Sequence, residues 1–209
     1  MEDNFFDTEE RKSIKIALII STVMIVIFIV FAICATSFFV TTYNNVVTLE
    51  ENVKTANAGI ETRIQRRAEL IPDLMAIVEM ASVQKMDILE KLVEAQDNLI
   101  VLLQEGNSNA IDAANKELSV MMNEVLSTIQ NEYPEIVVGD EYTGFMDELA
   151  GTINRITVAR EYYNEQVNSY NIAIKTFPGN MIAVICGFEE KESFTADEAA
   201  KETINYLKK

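Results

Sequence analysis

The feature that most constrains this chain is an uncharged segment, residues 16–40, which reads IALIISTVMIVIFIVFAICATSFFV. A helix needs about 20 apolar residues to cross the roughly 30 Å of hydrocarbon in a bilayer, and this segment is longer than that. The first charged residue after it is Glu50. We therefore expect a transmembrane helix over residues 16–40, with the lipid bilayer as its partner.

Two other interpretations of this segment are a cleaved signal peptide and a buried core helix. The apolar region of a signal peptide is only about 7 to 15 residues long and ends in small residues at a cleavage site, and no such site closes this segment. A core helix normally has a polar face, whereas this segment offers only serine and threonine. The sequence favours a membrane anchor.

Basic residues near the ends of the anchor predict its orientation. Arg11, Lys12 and Lys15 precede the anchor, and the next basic residue is Lys54. Since lysine and arginine next to a span are retained in the cytoplasm, the tail, residues 1–15, is expected there. The sequence thus predicts a single-pass protein of the cell membrane, with residues 42–209 outside the cytoplasm.

The composition of the remaining chain is that of one helical domain. Roughly 170 residues follow the anchor, which is enough for a single hydrophobic core. The whole chain has only seven glycines and three prolines among 209 residues, and its net charge is −16. Such a surface repels phosphate backbones, so we expect no nucleic acid as a partner.

Hydrophobic periodicity predicts an all-α fold in which the N-terminal transmembrane helix is followed by an antiparallel bundle of long helices with a short C-terminal helix. Apolar residues recur from Thr42 to Leu103 at intervals of three and four, with one interval of seven and a phase shift near Lys85. This pattern predicts one long helix with a kink or restart at Pro72. Further helices are expected over 111–133 and 142–176, a short one after Pro178 and a last one over 195–207.

Several kinds of active site are excluded by residue types that the chain lacks. There is no histidine, which excludes histidine acid–base chemistry, Ser-His triads and histidine metal sites. The two cysteines, Cys34 and Cys186, are far apart in the sequence, and no glycine-rich phosphate-binding motif occurs. We therefore expect a protein that is not an enzyme and that carries no cofactor and no metal.

Two stretches carry a family resemblance. Residues 64–74, IQRRAELIPDL, and residues 150–188, AGTINRITVAREYYNEQVNSYNIAIKTFPGNMIAVICGF, resemble the LemA family in motif type and order. The resemblance implies a bacterial or archaeal membrane protein with one amino-terminal span, a soluble antiparallel helical bundle and no established enzymatic activity. The chain departs from the family at Ile153, where a glutamate is usual, and at Val184, where a basic residue is common.

Polar residues inside these motifs are the candidate contact residues, because a bundle alone would require only apolar spacing. They are Arg66, Arg67, Asp73, Arg160, Asn164 and Asn171. Salt bridges across the bundle are the alternative for the arginines. Successive helical residues lie about 100° apart, so Arg67 is expected near the buried stripe and Arg66 in solvent. Tyr-Asn pairs at 163–164 and 170–171 share one helix face, either as a recognition surface or at the edge of the core.

The sequence thus predicts an anchored interaction or scaffold module at the cell envelope. Its partner is expected to be an unknown protein or a second copy of the chain. Two alternatives remain open at this point: a homo-oligomeric structural membrane protein, and a sensor that binds a small ligand or an ion in the bundle core.

Overall fold

The computed structural model describes residues 3–80 and 87–195, and within these ranges it contains helices and no strands. The helices are α1 (Asp3–Ala68), α2 (Ile71–Met80), α3 (Asp87–Glu105), α4 (Ser108–Glu132), α5 (Pro134–Val137), α6 (Asp140–Lys175) and α7 (Gly179–Cys186). The predicted all-α fold is confirmed. The predicted last helix, over 195–207, lies outside the described residues except for Thr195.

The chain divides into two compact units. The amino-terminal unit comprises residues 1–48 and 173–189, and the bundle unit comprises residues 49–172 and 190–209. The helices α1 and α6 each contribute to both units, so each unit contains segments that are distant in the sequence.

The first part of α1 is the apolar segment, and none of it is buried. All residues from 14 to 41 are exposed, and the rings of Phe28 and Phe31 are each 70% exposed. The most apolar window has a mean hydropathy of 3.2 and is 0% buried, so this part of the described structure is long and apolar enough to cross a bilayer. A core helix would be covered by other helices, and that alternative is therefore wrong.

The second part of α1 begins the core of the bundle unit. Its buried residues recur at intervals of three and four: Val53, Ala56, Ile60, Ile64 and Ala68. This spacing places them on one face of a helix, which is the face that the sequence predicted. Ile60, Ile64 and Ala68 pack in one core cluster with buried side chains of the later helices, including Leu74, Leu92, Leu118 and Leu149. Full burial of one such side chain contributes about 1.5–3 kcal/mol to stability, so this shared stripe holds the helices together.

The break near Pro72 is a restart rather than a kink. Helix α1 ends at Ala68 and α2 begins at Ile71, which places Pro72 in the first turn. A proline there costs no hydrogen bond, because the first amides of a helix have no intrahelical carbonyl to bind. The predicted restart is confirmed.

The prediction of one long helix from Thr42 to Leu103 is wrong. The side-chain amide of Gln96 in α3 donates to the carbonyl of Ala68, at 2.9 Å. In a straight helix these two residues would be about 42 Å apart, so α3 lies back alongside the end of α1. The sequence between Pro72 and Gly106 contains no glycine or proline, so neither of these turn residues marks the reversal.

The other helix ends follow the turn signals of the sequence. Gly106, at φ +73°, follows α3, and the Asn107 side chain caps α4 by accepting from the amide of Ala110 at 3.2 Å. A left-handed residue and a capping side chain are the usual ways to end one helix and start the next. Helix α5 was not predicted. It is a single turn that begins at Pro134.

Candidate functional site

The candidate site is built around an extended segment of the bundle unit, residues 190–195, which we call the strap. It has no helical or strand structure and lies along α6, where three of the predicted contact residues hold it. An extended segment cannot satisfy its own backbone groups, so its hydrogen bonds must come from side chains or water.

Two asparagines of α6 supply these bonds. Asn164 donates through Nδ2 to the carbonyl of Phe194 at 3.0 Å and accepts the amide of the same residue through Oδ1 at 2.9 Å. Asn171 does the same for Lys191, with distances of 2.9 and 3.0 Å. Each carboxamide therefore satisfies both backbone groups of one strap residue, as a neighbouring β-strand would.

The spacing of these asparagines fits the geometry of both elements. Seven residues of helix, from Asn164 to Asn171, rise about 10.5 Å. Three residues of extended chain, from Lys191 to Phe194, cover about 10 Å. The earlier asparagine holds the later strap residue, so the strap runs antiparallel to α6.

Side-chain contacts fix the two ends of the strap. The Phe194 ring meets the Tyr163 ring edge-on with centroids 4.9 Å apart, and the Arg160 guanidinium lies 5.4 Å from its centroid. The Lys191 ammonium lies 5.8 Å from the centroid of the Tyr170 ring and 3.1 Å from the carboxylate of Glu50. Ring stacking and cation–π contacts of this kind each contribute about 0.5–1.5 kcal/mol.

Arg160 also ties α6 to α4. It is 8% exposed, and its Nη2 atom is 2.5 Å from Oδ1 of Asp112. Asp112 also pairs with Lys116 of its own helix at 2.8 Å. A buried guanidinium is tolerated only when it is paired, so Asp112 and the ring of Phe194 together stabilise this charge.

A cleft of about 660 Å³ lies beside the strap within the bundle unit. Its walls come from α1, α4, α6 and the strap: Val53, Lys54, Asn57, Ser108, Asn109, Asp112, Tyr163 and residues 190–195. Asn57 donates to Glu61 at 2.6 Å and to Ser108 at 2.8 Å, which fixes one wall. Charges of both signs and several amide and hydroxyl groups line the cleft, so it can hydrogen-bond a polar partner.

Two groups of the cleft have shifted pKa values. Burial, and secondarily the charge of Glu192, raises the pKa of the Tyr163 phenol above its usual range. A hydrogen bond from Lys54 to Glu51 raises the pKa of that ammonium. At neutral pH the tyrosine therefore stays a neutral donor, and its hydroxyl donates to the carbonyl of Glu192 at 3.2 Å.

The remaining candidate residues lie elsewhere. Arg67 is 2% exposed, and its Nη2 atom donates to the backbone carbonyl and to Oδ1 of Asn115, at 2.8 and 2.7 Å. The Arg66 side chain is 58% exposed and pairs with Glu69 at 3.3 Å and with Glu148 at 3.8 Å. The predicted burial of Arg67 and exposure of Arg66 are thus confirmed.

Asp73 is exposed in the first turn of α2. A carboxylate there is favoured by the partial positive charge of a helix amino terminus, which gives Asp73 a structural role.

The structure therefore brings together Arg160, Asn164 and Asn171 and leaves Arg66, Arg67 and Asp73 apart from them. Sequence reasoning missed the strap, because an extended segment has no periodicity and its partners lie 20 or 30 residues earlier in the chain. The repeated Tyr-Asn pair was the available signal. No metal-binding group of three or more acidic or cysteine side chains occurs among the described residues.

Comparison with known proteins gives a family match and several relatives. The model of the LemA family matches residues 56–206. Magnetosome proteins MamQ 1 and MamQ 2 of Paramagnetospirillum magneticum are each 27% identical over 176 residues, which is 73% of this chain and 64% of each relative. Magnetosome protein MamQ of Magnetospirillum gryphiswaldense is 26% identical over 183 residues, covering 75% of this chain and 67% of the relative.

Proposed function

The chain belongs to the LemA family, and from this membership we propose that it is a single-pass membrane protein with a non-enzymatic interaction module at the cell envelope. The bundle unit is that module. Its partner is another protein or a second copy of this chain, and the bundle unit contacts no nucleic acid.

One observation carries this proposal: the apolar segment and the first core stripe of the bundle unit belong to a single helix, α1. Residues 14–41 are exposed and apolar, whereas Ile60, Ile64 and Ala68 of the same helix are among the most buried residues of the core. Exposed apolar surface on this scale must be covered, and a bilayer covers it along its whole length. A protein built in this way holds a folded unit at a membrane.

The cleft beside the strap is the docking place that the geometry supports best. A bundle needs only apolar stripes to fold, yet three polar residues of α6 hold an extended segment against this helix: Arg160, Asn164 and Asn171. The cleft that results has donors and acceptors on several walls, including Lys54 and Asn109. A polar cleft of this kind can bind a segment of another protein by hydrogen-bonding the amide and carbonyl groups of its backbone.

Site-specific photo-crosslinking in membranes tests this function. A photoreactive residue at Asn109, which is exposed in the cleft, should give adducts with a discrete set of proteins in intact membranes. The matched control is Asn131, an exposed asparagine of the same helix that does not line the cleft. Adducts from Asn109 but not from Asn131 support a partner at the cleft, and mass spectrometry separates foreign partners from a second copy. Equal adducts or none at the two positions contradict it.

The proposed orientation rests on Arg11, Lys12 and Lys15, with no further basic residue before Lys54. An Asp140→Cys variant in which Cys34 and Cys186 are replaced by alanine should react with a membrane-impermeant maleimide in intact cells. Labelling only after permeabilisation would place the bundle unit in the cytoplasm and would overturn the envelope location.

A further inference from the structure

Helix α7, with the residues on either side of it, forms an unusually apolar segment. Residues 177–188 read FPGNMIAVICGF and contain no charged side chain. Lys175 precedes this segment, and Glu189 and Glu190 follow it. Apart from Asn180, the residues of α7 are apolar or glycine, and a short helix of this composition is normally either buried in protein or in contact with lipid.

One face of α7 is buried within the amino-terminal unit. Gly179, Ile182 and Ala183 are buried, and a Cβ atom on Gly179 would lie 1.9 Å from the carbonyl oxygen of Ala173. The helix is therefore held tightly against the end of α6. This contact fixes which side of α7 faces outward.

The other face of α7 is apolar and open. Met181 is 55% exposed, Val184 86% and Ile185 66%, and Phe177, four residues before Met181, is 72% exposed. Spacings of three and one place Met181, Val184 and Ile185 on one side of this helix. We call these three side chains the outer face of α7. Soluble surfaces seldom keep several large apolar side chains together in water, so the outer face must be covered by protein or by lipid.

The position of the outer face indicates what covers it. The Phe188 ring, just after α7, lies 5.9 Å from the Tyr43 ring of α1. Tyr43 is three residues beyond Val40, the last residue of the apolar segment, which is a rise of about 4.5 Å. Tyrosine at the end of a span is typical of the boundary between head groups and acyl chains. The carboxyl end of α7 therefore lies beside the end of the apolar segment of α1.

We propose that the outer face of α7 inserts into the interfacial region of the same bilayer that the apolar segment of α1 crosses. The chain then contacts the membrane at two places that are far apart in the sequence, for example Val40 and Met181, which are separated by 141 residues. The inference rests on the proposed membrane anchor. Insertion of an uncharged face needs no anionic lipid, which matters for a chain whose net charge is −16.

Fluorescence quenching by lipid-borne nitroxides tests this proposal. The full chain, with Cys34 and Cys186 replaced by alanine and with Val184→Cys carrying an environment-sensitive fluorophore, is reconstituted into phosphatidylcholine vesicles. Nitroxides placed near the head groups should quench this fluorophore several-fold more than one at Val138→Cys. Val138 is the matched control, since it is 83% exposed and is not part of the outer face. An Ile185→Cys reporter should repeat the result.

A third reporter separates failure of this inference from failure of the anchor. Val30→Cys lies in the apolar segment and should be quenched by nitroxides placed deep in the acyl chains. If Val30 is quenched and Val184 and Ile185 match Val138, the outer face is in water and the proposal is overturned. If Val184 is shielded from water but not quenched, protein covers the face and the proposal is equally overturned. No quenching at Val30 overturns the anchor and both proposals with it.

Discussion

Asn164 and Asn171 bind the strap through its backbone, and asparagine suits this task for a simple reason. Its carboxamide offers one acceptor and two donors close to the helix, which match the amide and carbonyl of a single extended residue. Each asparagine makes two such hydrogen bonds, with distances of 2.9 or 3.0 Å. A shorter or apolar side chain at these positions would leave both backbone groups of the strap residue without their partner.

Asn164→Ala should release the end of the strap. The substitution removes two hydrogen bonds, each contributing about 1 kcal/mol, so the population with a detached strap should rise roughly 30-fold. Chymotrypsin should then cleave after Phe194 faster by about the same factor, provided that the strap opens and closes quickly relative to cleavage. Mass spectrometry measures this cleavage as the loss of residues 195–209. Asn168→Ala is the matched control, because Asn168 is an exposed asparagine of the same helix. Equal rates in the two variants would mean that the hydrogen bonds of Asn164 do not hold the strap.

Arg67→Ala and Arg66→Ala should differ strongly in stability. Arg67 is 2% exposed and bonds twice to Asn115, so its loss leaves a cavity and buried acceptors without their donor, at a cost on the order of 3 kcal/mol. Arg66 makes exposed ion pairs that contribute about 0.5 kcal/mol or less. Denaturant unfolding of the full chain in detergent, followed by circular dichroism, measures the loss of stability in each variant. Similar midpoints for the two variants would contradict this division.

The sequence predicted the burial of Arg67 but not the partners of Asn164 and Asn171. The burial of Arg67 follows from its place between Ile64 and Ile71 on one helical stripe, which is local information. The roles of Asn164 and Asn171 depend on a segment that returns from later in the chain, and no local pattern carries this information. The sequence therefore singled out both asparagines as contact residues without indicating that they contact the same chain.

At the scale of elements, the contact between α6 and α7 depends on one glycine. Gly179→Ala would place a methyl group 1.9 Å from a backbone oxygen of Ala173, and backbone cannot move aside cheaply. Overpacking of this kind typically costs about 1–3 kcal/mol or more, so α7 should detach from the end of α6. Hydrogen exchange of the α7 amides in the detergent-solubilised chain should become faster.

Gly144→Ala is the matched control for this substitution. Gly144 is an exposed residue of α6, and a Cβ atom added there meets nothing within 4 Å. Alanine is favoured over glycine in a helix by about 1 kcal/mol, so this variant should be slightly more stable. If both variants exchange their α7 amides at the wild-type rate, Gly179 is not required for the close approach.

Helix boundaries were predictable where the chain carries turn residues. Gly106, Pro134 and Pro178 mark the ends of α3, α4 and α6, and the structure places those ends within a few residues of them. The return of α3 alongside α1 lacked any such mark. It is stabilised by long-range burial of Leu92 and Leu99, and contacts between distant segments leave no local signature in the sequence.

At the scale of the whole molecule, residues 43–209 should fold without the apolar segment. The main core cluster of the bundle unit draws on every described helix from the second half of α1 to α6, and its first residue in the sequence is Ile60. Circular dichroism of this fragment should show well over half helix and a cooperative melt. A mostly disordered spectrum would mean that the bundle unit depends on the span.

Asn164 and Asn171 are two helical turns apart, and the strap residues to which they bond are three extended residues apart. Because these two distances are nearly equal, both asparagines can bond to the strap only when it keeps its present length. Substitutions at Glu192 and Ser193 leave the hydrogen bonds of both asparagines in register, because the carboxamides of Asn164 and Asn171 bond to the backbone of the strap. A deletion or insertion at this point shifts one end by about 3.3 Å, and both asparagines cannot then be satisfied together. We therefore expect the strap to tolerate changes in its amino acids but not in its length.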